Sequence, residues 1–523
     1  MRKLSRLKSR PIWLVLAMLC VSTFAGATAI PLLIDAVKNQ DTAKARKLIE
    51  ANADVNAPQG DGATALHWAV HRDDIATTQL LIDAGANVDA INDFGVMPLY
   101  LAAVNRNAKT TELLLKAGAN PSAALLTGET VLMRASHSGD LATVELLLKH
   151  GADVSVQEPV RHQTALMWAL GEDNTDVSKT LIKHGANINA ITTLGFTPLL
   201  FACRKGNYEI AKMLLDAEVE VNTIANARSD QTYLKTTKDE SIKGMSALMI
   251  AAHRGHDDLV GLLLERGADV DYDGPGYTAL HWACGSWETE LNGINGMNPP
   301  SNHEWHQMSG VKEGQFEMVK TLLAHGADPN KRLRKNPGRY GFTVASTRPA
   351  GSTPYIIAAM AGKADLMRLL VEEGADPKLK PSNGTTALLV ASGVGRHTAE
   401  NIMTEEESIA ACRVALEFGA DVNETDPSGN TAMHGAAWTR HPKLVQFLAE
   451  NGGKVLVKNK YKQTPLYISE HNGRFAGLPP KIERLPVGHT IFALEESERE
   501  DEQKLKAALK GTIFGAPKVL RDK

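Results

Sequence analysis

The stretch GATALHWAVHRDDIATTQLLIDAGANVDAINDF, residues 62–94, decides the fold. Thr64 offers an N-cap hydroxyl to the free amides of a helix that opens at Ala65. Leu80-Leu81-Ile82 lays branched side chains along the buried stripe of a second helix. Gly85 follows that helix, where a left-handed C-cap favours glycine. Asn87 then starts a turn. The stretch therefore reads as helix, tight turn, helix and extended finger. A unit this short cannot bury its apolar face alone, so it needs neighbours that stack on it.

The neighbours are present. Units begin at Gly62, Gly95, Gly128, His162 and Gly195, in steps of 33, 33, 34 and 33 residues. Later units begin at Gly244, Gly276, Gly351, Gly384, Gly429 and Lys462, and a unit from Pro31 to Asp61 precedes them all, which makes 12. Pro98, Pro198 and Pro354 fall at the first helical position, where a missing N–H does no harm. Gly118, Gly151, Gly185, Gly267 and Gly326 repeat the C-cap role of Gly85.

This pattern resembles the ankyrin repeat. TALHWA at Thr64 and Thr278, TPLLFA at Thr197 and TPLYIS at Thr464 are similar to its opening helix. LLIDAGANVDA at Leu80, LLLERGADVDY at Leu262 and LLAHGADPN at Leu322 are similar to its second helix and turn. The resemblance spans residues 31 to about 474. It implies an all-α solenoid of about 12 helix–turn–helix units, with extended fingers on a concave, protein-binding side. It also implies that His67, His281 and His434, which share the fourth place of the opening motif, hydrogen-bond neighbouring turns.

The chain has 523 residues, 43% hydrophobic and 22% charged, so a sizeable core is expected and disorder is not. Arg2, Lys3, Arg6, Lys8 and Arg10 precede an apolar run, Ile12 to Phe24, and Ala27-Thr28-Ala29 supplies small residues for a signal peptidase. Residues 1–29 thus read as a signal peptide cleaved after Ala29, with an uncleaved anchor as the alternative. Periplasmic or secreted location follows, with no membrane contact after cleavage. Cleavage removes five positive charges and moves the net charge from −3 to −8, which argues against nucleic acid as the partner. Cys203, Cys284 and Cys412 remain and read as buried small hydrophobes. Cys203 and Cys284 hold one repeat position two units apart, too far for a disulfide. Trp68, Trp168 and Trp282 also share one position and read as core.

Departures from the period mark candidate functional loops. Gly195 to Gly244 is 49 residues, Gly276 to Gly351 is 75, and Gly384 to Gly429 is 45. The extra residues fall at 223–243, 287–314, 331–350 and 395–407. The third insert, KRLRKNPGRYGFTVASTRPA, is basic and carries no acid. Arg332, Arg334, Arg339, Tyr340 and Phe342 within it, together with Trp305 in the 287–314 insert, are the candidate partner-binding residues, because aromatic and arginine side chains dominate binding hot spots. Residues 475–523 lose the repeat and read as a C-terminal cap with a charged helix from Phe492 to Leu509.

His303-Glu304-Trp305-His306 is the one metal-like cluster, but its spacing does not place two histidines on one helical face. The chain carries no Walker loop, GxGxxG, GxSxG or CxxC. No catalytic, cofactor or metal residues are assigned. The expectation is a non-catalytic scaffold in the cell envelope, monomeric, gripping another exported protein with its concave face and long fingers. A metal-binding or enzymatic protein built on residues 287–314, and a secreted effector acting on a host protein, are the alternatives.

Overall fold

The computed structural model describes residues 32–225, 244–285, 315–335, 350–381, 383–395, 403–439 and 441–470. The signal peptide, most of the first three inserts, part of the fourth and the C-terminal cap lie outside them. The described residues hold 23 helices. They fall into two compact units, within residues 1–236 and 237–523.

In unit one, six helix pairs follow in order: Leu32–Lys38 with Thr42–Glu50, Ala65–His71 with Ile75–Asp83, Pro98–Val104 with Ala108–Lys116, Val131–Ser138 with Leu141–Lys149, Ala165–Gly171 with Thr175–Lys183, and Pro198–Lys205 with Tyr208–Asp216. Unit two has five pairs and a last single helix, Pro465–Glu470. Its third pair, Pro354–Met360 with Ala364–Glu372, keeps the same form despite the inserts before it.

The helices form where the sequence places their caps. Thr130, Thr164, Thr197, Ser246, Thr278 and Thr386 accept from the amide three residues on. Asp41, Asp74, Asn107, Asp140 and Asn207 do the same for second helices. Each such cap contributes roughly 1 kcal/mol.

Close packing rests on alanine. Ala69, Ala102, Ala135, Ala169 and Ala202 hold the same place in successive first helices of unit one, and all are fully buried. No side chain beyond Cβ separates the helices there, so their backbones approach and the flanking leucines interlock. Leu66, Leu99, Leu132, Leu166 and Leu199 fill the space beside them, with Leu81, Leu114, Leu147, Leu181 and Leu214 from the second helices. Each buried leucine contributes about 1.5–3 kcal/mol.

Neighbouring repeats are also tied at the base of each finger. Asn56 accepts the Asn87 amide at 2.7 Å, Asp89 that of Asn120 at 2.9 Å, and Ser122 that of Asp153 at 2.9 Å. In unit two the same bond joins Asp271 to Asp328 at 3.0 Å, Asn330 to Asp376 at 2.7 Å and Asn423 to Lys454 at 2.8 Å. The Asp271–Asp328 bond spans the long insert, so the repeats on either side of it stack in register.

One boundary differs from expectation. The stretch 395–407 was read as insert, but the second helix of that repeat is Glu405–Glu417. Thr404 accepts from the Glu407 amide at 3.1 Å, while the Glu407 carboxylate accepts the Thr404 amide at 2.8 Å. This reciprocal capping box starts the helix inside the predicted loop.

Candidate protein-binding surface

The first helices are almost wholly buried, and most of the surface they show lies between the fourth residue after the N-cap and the C-cap. In unit one this row carries cations on aromatic rings. The Lys38 ammonium lies 4.3 Å from the Trp68 ring centre. The Arg134 guanidinium lies 5.7 Å from both Tyr100 and Trp168, and that of Arg204 lies 5.3 Å from Phe201. Such contacts contribute about 0.5–2 kcal/mol each. Burial against Trp68 lowers the Lys38 pKa, opposed by Asp61 and Asp35.

Arg134 is buried and fully engaged. It pairs with Glu129 at 2.5 Å and donates from Nε to the Tyr100 hydroxyl at 3.0 Å, and that hydroxyl donates to Glu129 at 2.9 Å. Burial and the Glu129 charge push the Tyr100 hydroxyl pKa up. Sequence reading missed this triad. Its signal was available, because Arg134 stands where most other repeats have tryptophan, phenylalanine or an aliphatic residue.

Unit two fills the same row differently. His253 stacks on Trp282 with ring centres 3.6 Å apart, and on Tyr277 at 5.8 Å. Neither His253 nitrogen has a hydrogen-bond partner. Burial, aided by Arg254, drives its pKa down to about 3. Ile357 and Val390 continue this row as buried aliphatic residues.

The three repeated histidines are structural. His281 Nδ1 accepts the Thr278 amide at 3.2 Å, and the amides of Thr64 and Thr431 reach His67 and His434 at 3.1 and 3.0 Å. An N–H can only donate, so Nδ1 bears no proton and Nε2–H is assigned to the other side. Nε2 donates to Val96, Lys331 and Gln463 carbonyls at 3.0, 3.0 and 3.1 Å. Burial lowers all three pKa values, that of His281 to about 4.

Of the candidate binding residues, Arg332 and Arg334 are described; Trp305, Arg339, Tyr340 and Phe342 lie outside the described residues, as do His303, Glu304 and His306. Arg332 donates to the carbonyls of Lys380 at 2.7 Å and Gly351 at 3.2 Å. Arg334 pairs with Asp273 at 2.9 Å and donates to its carbonyl at 2.6 Å. Both arginines are exposed yet anchor the base of their finger to neighbouring repeats. Among the described residues, no group of three His, Cys, Asp or Glu is placed to hold a metal ion.

The fingers of unit one carry the surface feature that sequence reading did not single out. Ile91 is 63% exposed, Phe94 43%, Leu126 81%, Val160 69% and Ile191 57%. These are five of the eight large hydrophobic residues exposed among those described, and they fall on four consecutive fingers. The turns stack through glycine. Leu126 packs so close to Gly95 that a Cβ there would stand 2.5 Å from its Cγ, and Pro159 occupies the corresponding space at Gly128.

The comparisons agree with this architecture. The family described as ankyrin repeats (3 copies) matches residues 33–124, 132–225, 228–295 and 305–406, and ankyrin repeats (many copies) matches residues 397–449. The mouse B-cell lymphoma 3 protein homolog is 30% identical over 46% of this chain and 42% of its own length. The E3 ubiquitin-protein ligase KEG of Arabidopsis thaliana is 22% identical over 60% of the chain and 20% of its own length. An ankyrin repeat and KH domain-containing protein of Caenorhabditis briggsae is 27% identical over 50% of the chain and 10% of its own length. The chain thus spans less than half of each relative, and the likeness concerns the repeats. The repeat period, its cap-and-histidine geometry and the extent of these matches together make the chain a member of the ankyrin-repeat family.

Proposed function

We propose that the chain is a non-catalytic protein-binding scaffold of the cell envelope, holding one exported partner against its fingers and first helices. The observation that carries this reading is the row Ile91, Phe94, Leu126, Val160 and Ile191. Leaving a large apolar side chain in water forgoes roughly 1.5–3 kcal/mol of burial energy. A single exposed leucine is ordinary, but exposed apolar side chains on four consecutive fingers, though at different places of the turn, have the form of an interaction surface. A rigid stack also presents this row at little entropic cost. The exported location rests on the basic and apolar start of the sequence, and the monomeric state on its length and repeat design.

The Leu333 amide donates to the Ser352 carbonyl at 2.9 Å and the Gly351 amide to the Leu333 carbonyl at 2.6 Å, so the described residues on either side of 336–349 close on each other. Arg339, Tyr340 and Phe342 are proposed as further recognition residues from the basic and aromatic character of that stretch. Chemical cross-linking in intact envelopes, read by mass spectrometry, tests the scaffold. One exported protein linked repeatedly to finger residues is expected; links confined to second helices would contradict it. Amino-terminal sequencing of the mature chain tests location, with Ile30 expected first.

A further inference from the structure

The first-helix row of unit one differs from the rest of its unit in charge. From its helix starts through the C-cap residues, this row carries Lys38, Arg72, Arg134, Arg204 and Lys205 against two acids, Asp35 and Glu172. Elsewhere in residues 32–225 there are 21 acidic residues against 11 basic ones. Both acids of the row are already met: Asp35 lies 3.8 Å from Lys44, and Glu172 lies 3.6 Å from His137. Arg134 is likewise met by Glu129 and Arg204 is buried, so the accessible charge of the row is that of Lys38, Arg72 and Lys205, on an otherwise acidic unit. In unit two the described first helices and their C-caps carry one cation, Arg254, and one acid, Glu470.

The unit-one row also has aromatic faces. Trp68, Trp168 and Phe201 lie beside its cations. Carboxylates complement the cations, and a polypeptide supplies them.

We propose that the first-helix row of unit one binds an extended acidic segment of the partner protein. This rests on the scaffold reading and specifies the chemistry of what is held. Arg72 and Lys205 supply the outer positive charge, Lys38 sits beside Trp68, and the exposed aliphatic fingers contact apolar residues of the same partner. A complementary strip of this kind steers encounter and fixes register.

The test uses the full chain and a short fluorescein-labelled peptide of alternating glutamate and leucine, with lysine–leucine and glutamine–leucine peptides as controls. Anisotropy should show the acidic peptide binding at least ~10-fold more tightly than the neutral one, with affinity falling as salt rises. The double variant Arg72→Glu, Lys205→Glu should lose that preference at an unchanged melting temperature. Equal binding of acidic and neutral peptides, or no loss in the folded variant, overturns the assignment. The envelope cross-linking described above separates the two readings. If the charge-reversed chain keeps its cross-linked partner at wild-type yield, the acidic assignment fails while the scaffold reading stands.

Discussion

His281 Nε2 donates to the Lys331 carbonyl at 3.0 Å, 50 residues along the chain. In repeats without inserts Nε2 donates instead to the residue just before the next N-cap, His67 to Val96 and His434 to Gln463, 29 residues on. The carbonyls of Lys331 and Ser352 both face His281, as those of Ala90 and Val96 face His67. The repeat that bears the longest insertions therefore closes on its histidine with the same pair of carbonyls.

Removing that histidine should be costly. His281→Leu leaves the Thr278 amide and the Lys331 carbonyl buried without partners, each worth about 1–3 kcal/mol. Urea denaturation should show unit two weakened by at least about 2 kcal/mol, within that range for two orphaned groups. An unchanged midpoint contradicts the structural role.

Stability should fall in acid below the ordinary histidine range. His67, His253, His281 and His434 all have lowered pKa values in the fold, chiefly from burial. The unfolded chain takes up these protons near pH 6.5 while the native chain refuses them, so stability is full above that value and is lost as pH falls toward the folded values. Each group contributes a slope of up to about 1.4 kcal/mol per pH unit in that window. The urea midpoint should drop between about pH 7 and pH 5. His253→Phe, a ring of similar size between Trp282 and Tyr277, should flatten the slope; an equally steep profile would count against this account.

Two glycines separate backbone strain from steric exclusion. Gly267 has φ +85° with open space where a Cβ would go, so Gly267→Ala carries only the left-handed cost, about 1–2 kcal/mol. Gly276 has φ +101°, and a Cβ there would meet Lys335 Cβ at 2.6 Å. Gly276→Ala should therefore destabilise more. Glu218 takes φ +59° at the position that glycine fills elsewhere, so Glu218→Gly should raise the melting temperature. Differential scanning calorimetry on the three variants checks the order.

Cys203, Cys284 and Cys412 are buried, and none of them forms a disulfide among the described residues. Burial pushes the thiols of Cys203 and Cys284 up in pKa, away from the reactive thiolate. Mass spectrometry after treatment with a maleimide should find all three unmodified in the native chain and modified in urea. Labelling of the native chain would contradict their burial.

The fold was legible because its signals are local. Thr278 and Gly267 act within a few residues of where they stand, and His281 accepts from the Thr278 amide three residues back, so their spacing reveals these local roles. The left-handed turns at His162, Glu218 and Lys462 show that the backbone sets the position and glycine only favours it. The Thr404–Glu407 capping box lay in the sequence but was hidden inside a stretch read by its polarity. Surface features were harder to read. The exposure of Leu126 depends on which turn stacks on which glycine, and the engagement of Arg334 depends on Asp273, 61 residues away. The Arg134–Glu129–Tyr100 triad likewise joins two repeats, and no single repeat shows it.

The central claim is that the stacked fingers of unit one hold a protein partner. It is tested most directly by replacing Ile91, Leu126, Val160 and Ile191 together with serine and quantifying partner cross-linking in intact envelopes. These side chains are solvent-exposed, so the melting temperature should stay the same while partner yield falls by ~10-fold or more, equivalent to about 1.4 kcal/mol of lost binding. An undiminished yield from the folded variant would contradict the account.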